Sequence, residues 1–232
     1  TQNEGVVIRQ RDFQLSESGV VLRYAPGEKF VRVGDRELSL GGRFPVFYLR
    51  YTKGWKNVID GEFDYHRWDL MVEKSFYWSQ FGEFKTRLVA GTIGKDLPYS
   101  LYYNVRGAFN NWSVFAPDGF ETMRTNEFVH SSFVAVQLRH NFKDLLFSRP
   151  QFKPHVVLVH NMMYGQSIDQ PRFDIAQQSA DKGYFESGLQ FDNLLQSSFS
   201  ALGVGCYYRY GPYHLPEMKE NFSFKLTSTI VF

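Results

Sequence analysis

The chain has 232 residues, a net charge of +2 and a mean hydropathy of −0.35, yet 18% of it is aromatic, with 23 Phe and 14 Tyr. Near-neutral charge leaves no electrostatic footprint for nucleic acid, and no stretch approaches the roughly 18 apolar residues of a membrane-crossing helix. The single Cys206 excludes an internal disulfide framework.

Period-two alternation begins at once and predicts strands over 6–13, 18–25 and 44–53. The link 26–43, with Gly27-Glu28-Lys29 and Gly41-Gly42, is longer than an up-and-down order explains. Over 62–78, Trp68, Leu70, Val72, Phe76 and Trp78 oppose Arg67, Asp69, Glu73 and Ser75. A strand over 81–93 follows. Over 127–142, Val134, Val136 and Leu138 oppose Gln137, Arg139 and Asn141. After a strand over 152–164, Phe185, Leu189 and Phe191 oppose Glu186, Gly188, Gln190 and Asp192 within 184–196. Over 200–211, Leu202, Val204, Cys206, Tyr208 and Tyr210 oppose Gly203, Gly205, Tyr207 and Arg209. The last strand, 221–232, sets Phe222, Phe224, Leu226, Ile230 and Phe232 against Ser223, Lys225, Thr227 and Thr229.

One such strand fits the half-buried sheet of a soluble sandwich equally well. Repetition decides. Many of the runs reach ten residues or more, where ordinary strands average ~5–6 and about 9–11 tilted residues cross a bilayer. The expected fold is an all-β, transmembrane, antiparallel up-and-down β-barrel. Residues 1–232 then form the C-terminal part of one barrel domain, with about ten strands. The start without Met or a secretory leader fits a trimmed piece whose upstream strands and periplasmic domain are missing. With the last strand descending to the periplasm, the short links 79–80, 143–151 and 197–199 are periplasmic. The links 54–61, 94–126, 165–183 and 212–220 are then external. The terminal Phe on an alternating strand resembles the signal read by the barrel-assembly machinery.

The longest external link holds Asn104-Val105-Arg106-Gly107-Ala108-Phe109. Val-Arg-Gly followed by an aromatic resembles the loop motif of the BamA/TamA assembly and two-partner-secretion transporter superfamily, in which five strands follow the motif, as here. Gln137-Leu138-Arg139 resembles that family's Glu-x-Arg, Tyr184 to Phe191 its glycine-containing antepenultimate strand, and Phe222 to Phe232 its closing strand. The resemblance covers about 62–232 and implies the last ten strands of sixteen. Within the superfamily, Leu22 to Phe30, Tyr51-Thr52-Lys53-Gly54 and Gly61 to His66 are similar to barrel proteins of unknown function with an N-terminal carboxypeptidase-like regulatory domain, a β-sandwich that implies no peptidase.

The family's motif arginine docks on a carboxylate of the strand after Glu-x-Arg. Here that strand reads Val157-Leu158-Val159-His160-Asn161-Met162 and has none. The resemblance therefore implies Glu186, Asp192, Gln137 or Arg139 as lumen neighbours of Arg106, with Val105, Gly107 and Phe109 completing the motif. Arg50, Arg67, Arg87, Arg139 and Arg209 fall on the lumen face with Glu73 and Glu186, as in a hydrated, ion-paired interior.

Asp64, His66 and Asp69 invite a catalytic reading, but Asp64 and His66 share one face and Asp69 the other, so an interfacial polar cluster is the better reading. His155 and His160 fall on opposite faces and no metal-site spacing occurs. Cys206 sits in the apolar stripe, and Trp55, Trp68, Trp78 and Trp112 suit interface anchoring. No nucleophile, phosphate-loop or dinucleotide motif is present. The expectation is a non-enzymatic protein of the bacterial outer membrane, without cofactor or metal. Its partners would be the bilayer, the barrel-assembly machinery during insertion, and other outer-membrane or surface proteins. Its function would be the assembly or export of such proteins or, alternatively, that of a passive channel or an anchor for an N-terminal periplasmic domain.

Overall fold

The computed structural model describes residues 12–34, 36–94, 96–110, 112–115, 118–147, 152–166, 178–197 and 200–230. They form β1 (Glu17–Tyr24), β2 (Glu28–Val33), β3 (Arg36–Gly42), β4 (Val46–Gly54), β5 (Tyr65–Trp78), β6 (Gly82–Ile93), β7 (Tyr103–Asn104), β8 (Trp112–Val114), β9 (Val129–His130), β10 (Ser132–Asn141), β11 (His155–Gln166), β12 (Tyr184–Gln196), β13 (Ser200–Tyr210) and β14 (Phe222–Ile230). Among the described residues the helical pieces are short 3-10 turns, and no helix is long and apolar enough to cross a membrane.

One ten-stranded sheet dominates, in the order β1-β4-β5-β6-β10-β11-β12-β13-β14-β8. All its neighbours are antiparallel except β8, which lies parallel to β14. Among the described residues the sheet is open, since β1 pairs only with β4. The expected strands from 18–25 onward match this meander. The strand expected over 6–13 falls largely outside the described residues, and Asp12 and Phe13 are not in a strand. The long link 26–43 is itself a hairpin, β2 on β3, so its length is folded back into paired backbone. A register shift between Phe191 and Leu195 interrupts the β12–β13 ladder.

Burial is inverted relative to a soluble sheet. On β14, Ser223 and Lys225 are 0% exposed while Phe224 and Leu226 are 38% and 50% exposed. On β13, Tyr207 and Arg209 are buried while Leu202 and Val204 are exposed. The polar stripe is covered because the described residues between 94 and 131 fold back over it and form the apolar core there. Phe120, Met123 and Phe128 of this segment pack with Ala135, Met163, Tyr184 and Tyr213. Leu97, Leu101, Tyr102, Tyr103 and Val129 pack with Tyr65 and Ile93. The covered face is called inner below and the bare apolar face outer.

Candidate functional site

Strand register places Glu73, Arg87, Gln137, Asn161, Glu186 and Arg209 side by side on β5, β6, β10, β11, β12 and β13. They form a polar row running across the inner face. Six such side chains on a dry surface would be costly unless each found a partner. The loop over 94–131 supplies most of them in sequence order. Asp118 pairs with Arg87, and the Gly119 carbonyl accepts from Gln137 Nε2 at 3.2 Å. The backbone N–H groups of Glu121 and Thr122 each donate to Glu186 at 2.9 Å, and the Thr122 hydroxyl donates at 2.6 Å. Glu127 meets Arg209 at 2.7 Å.

Glu186 is fully buried and also accepts from Asn161 Nδ2 at 2.8 Å. Four donors thus converge on one carboxylate from the loop and the neighbouring strand. Arg209, 1% exposed, lies over the Tyr184 ring at 4.8 Å and the Phe128 ring at 5.9 Å, so the guanidinium is held by aromatic faces as well as by Glu127. Gly188 gives the Tyr207 ring its space: a Cβ there would lie 2.3 Å from that ring. One row below, Arg139 pairs with Asp192 at 3.0 Å, and the Thr227 hydroxyl donates to the same Asp192. A cavity of about 520 Å³ remains beside this loop, lined by Glu73, Arg87, Phe115, Asp118, Gln137 and Arg139 among others.

The arginine motif is held differently from expectation. Its backbone runs beside 120–123, with Phe120 N–H donating to the Arg106 carbonyl at 2.9 Å, Ala108 N–H to Phe120 at 2.9 Å and Phe109 N–H to Met123 at 2.8 Å. Gly107 is required by that approach, since a Cβ would lie 2.5 Å from the carbonyl oxygens of Met123 and Arg124. Val105 packs on the loop core, and Phe109 lies under Arg124 at 5.6 Å. The Arg106 side chain is exposed. The four neighbours expected for it are engaged elsewhere: Glu186 by the loop backbone, Asp192 by Arg139 and Thr227, and Gln137 by Gly119. Here a strand carboxylate, Glu186, holds loop N–H groups. Glu121, Thr122 and Glu127 escape sequence reading because they lie in a non-periodic loop. Only Glu186, a carboxylate on the inner face of β12 beside Gly188, hinted that a partner was needed.

Of the closing-strand residues, Phe222 is half-buried, and Phe224 and Leu226 face outward. Ile230 ends β14, its side chain outside the description, and Phe232 lies outside the described residues. Asp64 and His66 do not meet as an acid–base pair. Lys53 donates to Asp64 and lies 3.1 Å from His66 Nε2, and the Tyr51 hydroxyl is 2.7 Å from Nδ1. Lys53 holds the exposed Asp64 carboxyl below the usual range. Asp69, on the inner face, pairs with Arg67 at 3.2 Å. His155 contacts Asp144 at 3.2 Å on one face, and His160 contacts Ser187 at 3.0 Å on the other. Among the described residues no cluster of metal-ligating side chains forms.

His130 is buried beside Phe128 and Phe133, and among the described residues neither ring nitrogen has a hydrogen-bond partner. Burial pushes its pKa down to about 4, against the opposing pull of Asp181. The imidazole is thus neutral where it packs.

Compared with protein families, residues 7–153 match the C-terminal domain of a family of unknown function (DUF5686). No curated protein and no solved structure matches the chain.

Proposed function

The chain belongs to the DUF5686 family of unknown function, as its C-terminal domain, and from that premise we propose that it forms part of the wall of a bacterial outer-membrane β-barrel that assists the assembly or export of other proteins. The observation that carries the membrane reading is inverted burial: Lys225 is 0% exposed while its neighbours Phe224 and Leu226 face outward. In water that arrangement wastes apolar burial; against lipid it is the stable one. Rings gather on the outer face in support. Tyr51 packs on Trp68 at 4.4 Å, Phe76 stacks on Trp78 at 5.5 Å, and Tyr208 lies beside Phe222 at 4.7 Å, as interfacial girdles require.

The assembly role rests on the likeness of Val105-Arg106-Gly107 and the closing strand to the BamA/TamA superfamily, and no catalytic step is part of it. The partners would be lipid, the barrel-assembly machinery during insertion, and client outer-membrane or surface proteins. A passive open channel fits less well, because a folded loop tied at four strands occupies the inner face. Depletion of the full-length protein followed by quantitative outer-membrane proteomics tests the role. Collective loss of other barrel or surface proteins is expected; an unchanged proteome would overturn assembly and leave an anchor or channel.

A further inference from the structure

Three polar side chains meet on the outer face in a stretch that is otherwise apolar. His160 of β11, Ser187 of β12 and Tyr210 of β13 form a closed triangle. His160 Nδ1 lies 3.0 Å from the Ser187 hydroxyl and 3.1 Å from the Tyr210 hydroxyl, and the two hydroxyls are 3.3 Å apart. Register sets His160 beside Ser187. One row further along the same face stand Leu158 and Leu189, paired with each other and both exposed. Polar groups on a face turned to hydrocarbon are costly unless each is satisfied.

The triangle satisfies two hydroxyls and one ring nitrogen and leaves the other nitrogen over. The hydroxyl protons serve Nδ1 and each other, which favours the tautomer that carries its own proton on Nε2. Among the described residues Nε2 meets no partner, and the half-buried ring keeps that atom at the surface. The ring is also fixed in direction. It stacks with Tyr210 at 6.3 Å, and Tyr210 is backed by Phe185 at 6.0 Å and Tyr208 at 6.5 Å. An oriented N–H donor therefore stands at the head of an apolar track.

Its depth defines what it can meet. Ser187 lies three residues past Tyr184, the first residue of β12. That is about 10 Å along the strand, or about 8 Å of depth at a tilt of roughly 40°. The polar interface of a bilayer is about 5–8 Å thick on each side, so the donor stands where acyl esters adjoin hydrocarbon. The charges that a phosphate needs are missing. Arg139, Arg209 and Lys225, the only basic Lys or Arg residues of β10 to β14, all lie on the inner face.

We infer that His160, held by Ser187 and Tyr210, is a docking site for one acyl-ester lipid, with Nε2–H donating to the ester carbonyl and the acyl chain lying along Leu158 and Leu189. The inference rests on the barrel reading above and gives that barrel a bound lipid in addition to the bilayer around it.

The test uses the full-length protein, delipidated and titrated with two synthetic phosphatidylethanolamines of equal chain length, one ester-linked and one ether-linked. The ether lipid keeps the head group and lacks the carbonyl. Native mass spectrometry counts the lipids retained. The unsubstituted protein is expected to retain one ester lipid with about three- to tenfold preference over the ether, the size of one hydrogen bond. His160→Leu should abolish the preference, Tyr210→Phe should reduce it, and His160→Gln, which keeps an N–H donor, should restore part of it. His140→Leu is the control, since His140 shares the face but packs against the Phe84 and Phe142 rings. Its preference should equal that of the unsubstituted protein. Equal retention of the two lipids, a preference that survives His160→Leu, or one lost equally in His140→Leu would each overturn the inference. Release of free fatty acid that Ser187→Ala abolishes would overturn it too, because the site would then cleave the ester rather than hold it. Heat-modifiable mobility of the unsubstituted protein reads the barrel separately. Its absence sinks the barrel reading, whereas its presence without ester preference sinks only the lipid site. If His160→Leu loses that mobility, Tyr210→Phe carries the test, and an unchanged preference overturns.

Discussion

The two halves of the sheet have the same alternation and opposite fates. On β1, β4 and β5 the inner-facing Arg50 is exposed and Arg67 retains 33% of its side-chain exposure, its partner Asp69 being 3.2 Å away in reach of solvent. On β11 to β14, Glu186, Arg209 and Lys225 are at or near zero exposure. The strands differ little in pattern; what differs is how the described part of the loop 94–131 meets them, burying the polar row of β11 to β14 while reaching β5 through Tyr103, which lies 4.5 Å from the still half-exposed Arg67. Alternation therefore sets which face a side chain takes, and a distant segment sets what that face costs. An exposed pair such as Arg67–Asp69 contributes about 0–1 kcal/mol, while breaking a buried one costs about 3–5 kcal/mol.

The largest expected break of that contrast is Glu186→Ala. It leaves the N–H groups of Glu121 and Thr122, the Thr122 hydroxyl and the Asn161 amide without their acceptor. A loss of about 3–5 kcal/mol follows, read as a lower urea midpoint in detergent and as protease cleavage within 96–130. Wild-type resistance to protease would mean that the loop does not depend on this carboxylate.

Acid should loosen the same half by a slightly smaller amount. The folded-state pKa of His130, about 4, lies below its unfolded value of about 6.5. The unfolded loop therefore takes up a proton first as pH falls. Stability is fully present above pH 6.5 and declines toward pH 4, by about 3 kcal/mol in all. Loop protection measured by hydrogen exchange at pH 7 and pH 4.5 checks this, with His130→Phe expected to flatten the dependence. A slope that survives in His130→Phe would assign the effect to other groups.

Double-mutant cycles then sharpen the comparison directly. The Arg209–Glu127 pair, 2% and 12% exposed at its side chains, should couple by about 2 kcal/mol or more, and the Arg67–Asp69 pair by under about 1 kcal/mol. Equal coupling in the two halves would remove the distinction between deeply buried and half-exposed pairs.

These differences mark how far the residues speak before the fold is known. Period two assigns Lys225, Arg209, Glu186, Arg139 and Arg67 to one face, and the register bears that out strand by strand. Their partners are another matter. Asp118, Glu121, Thr122 and Glu127 lie in a segment with no repeat, and their positions follow from where the loop crosses each strand, a tertiary fact. The hairpin β2–β3 and the short β8 escape for a related reason: six or seven residues of weak alternation, and three residues, give too few periods to read.

The smallest effect expected is also the most discriminating, because it falls on the residue that the family likeness ranks first. Arg106 lies in the motif, and a lumen arginine bound to a strand carboxylate would be as costly to remove as Arg209. Its side chain is exposed, however, and the motif's place is kept by backbone bonds at Arg106, Ala108 and Phe109 and by the close approach of Gly107. Arg106→Ala removes none of these. It should change the urea midpoint by no more than about 0.5 kcal/mol and leave the loop protected from protease, whereas Gly107→Ala must push a Cβ into two carbonyls and should release it. A large loss in Arg106→Ala would mean that the guanidinium reaches a carboxylate in the working protein.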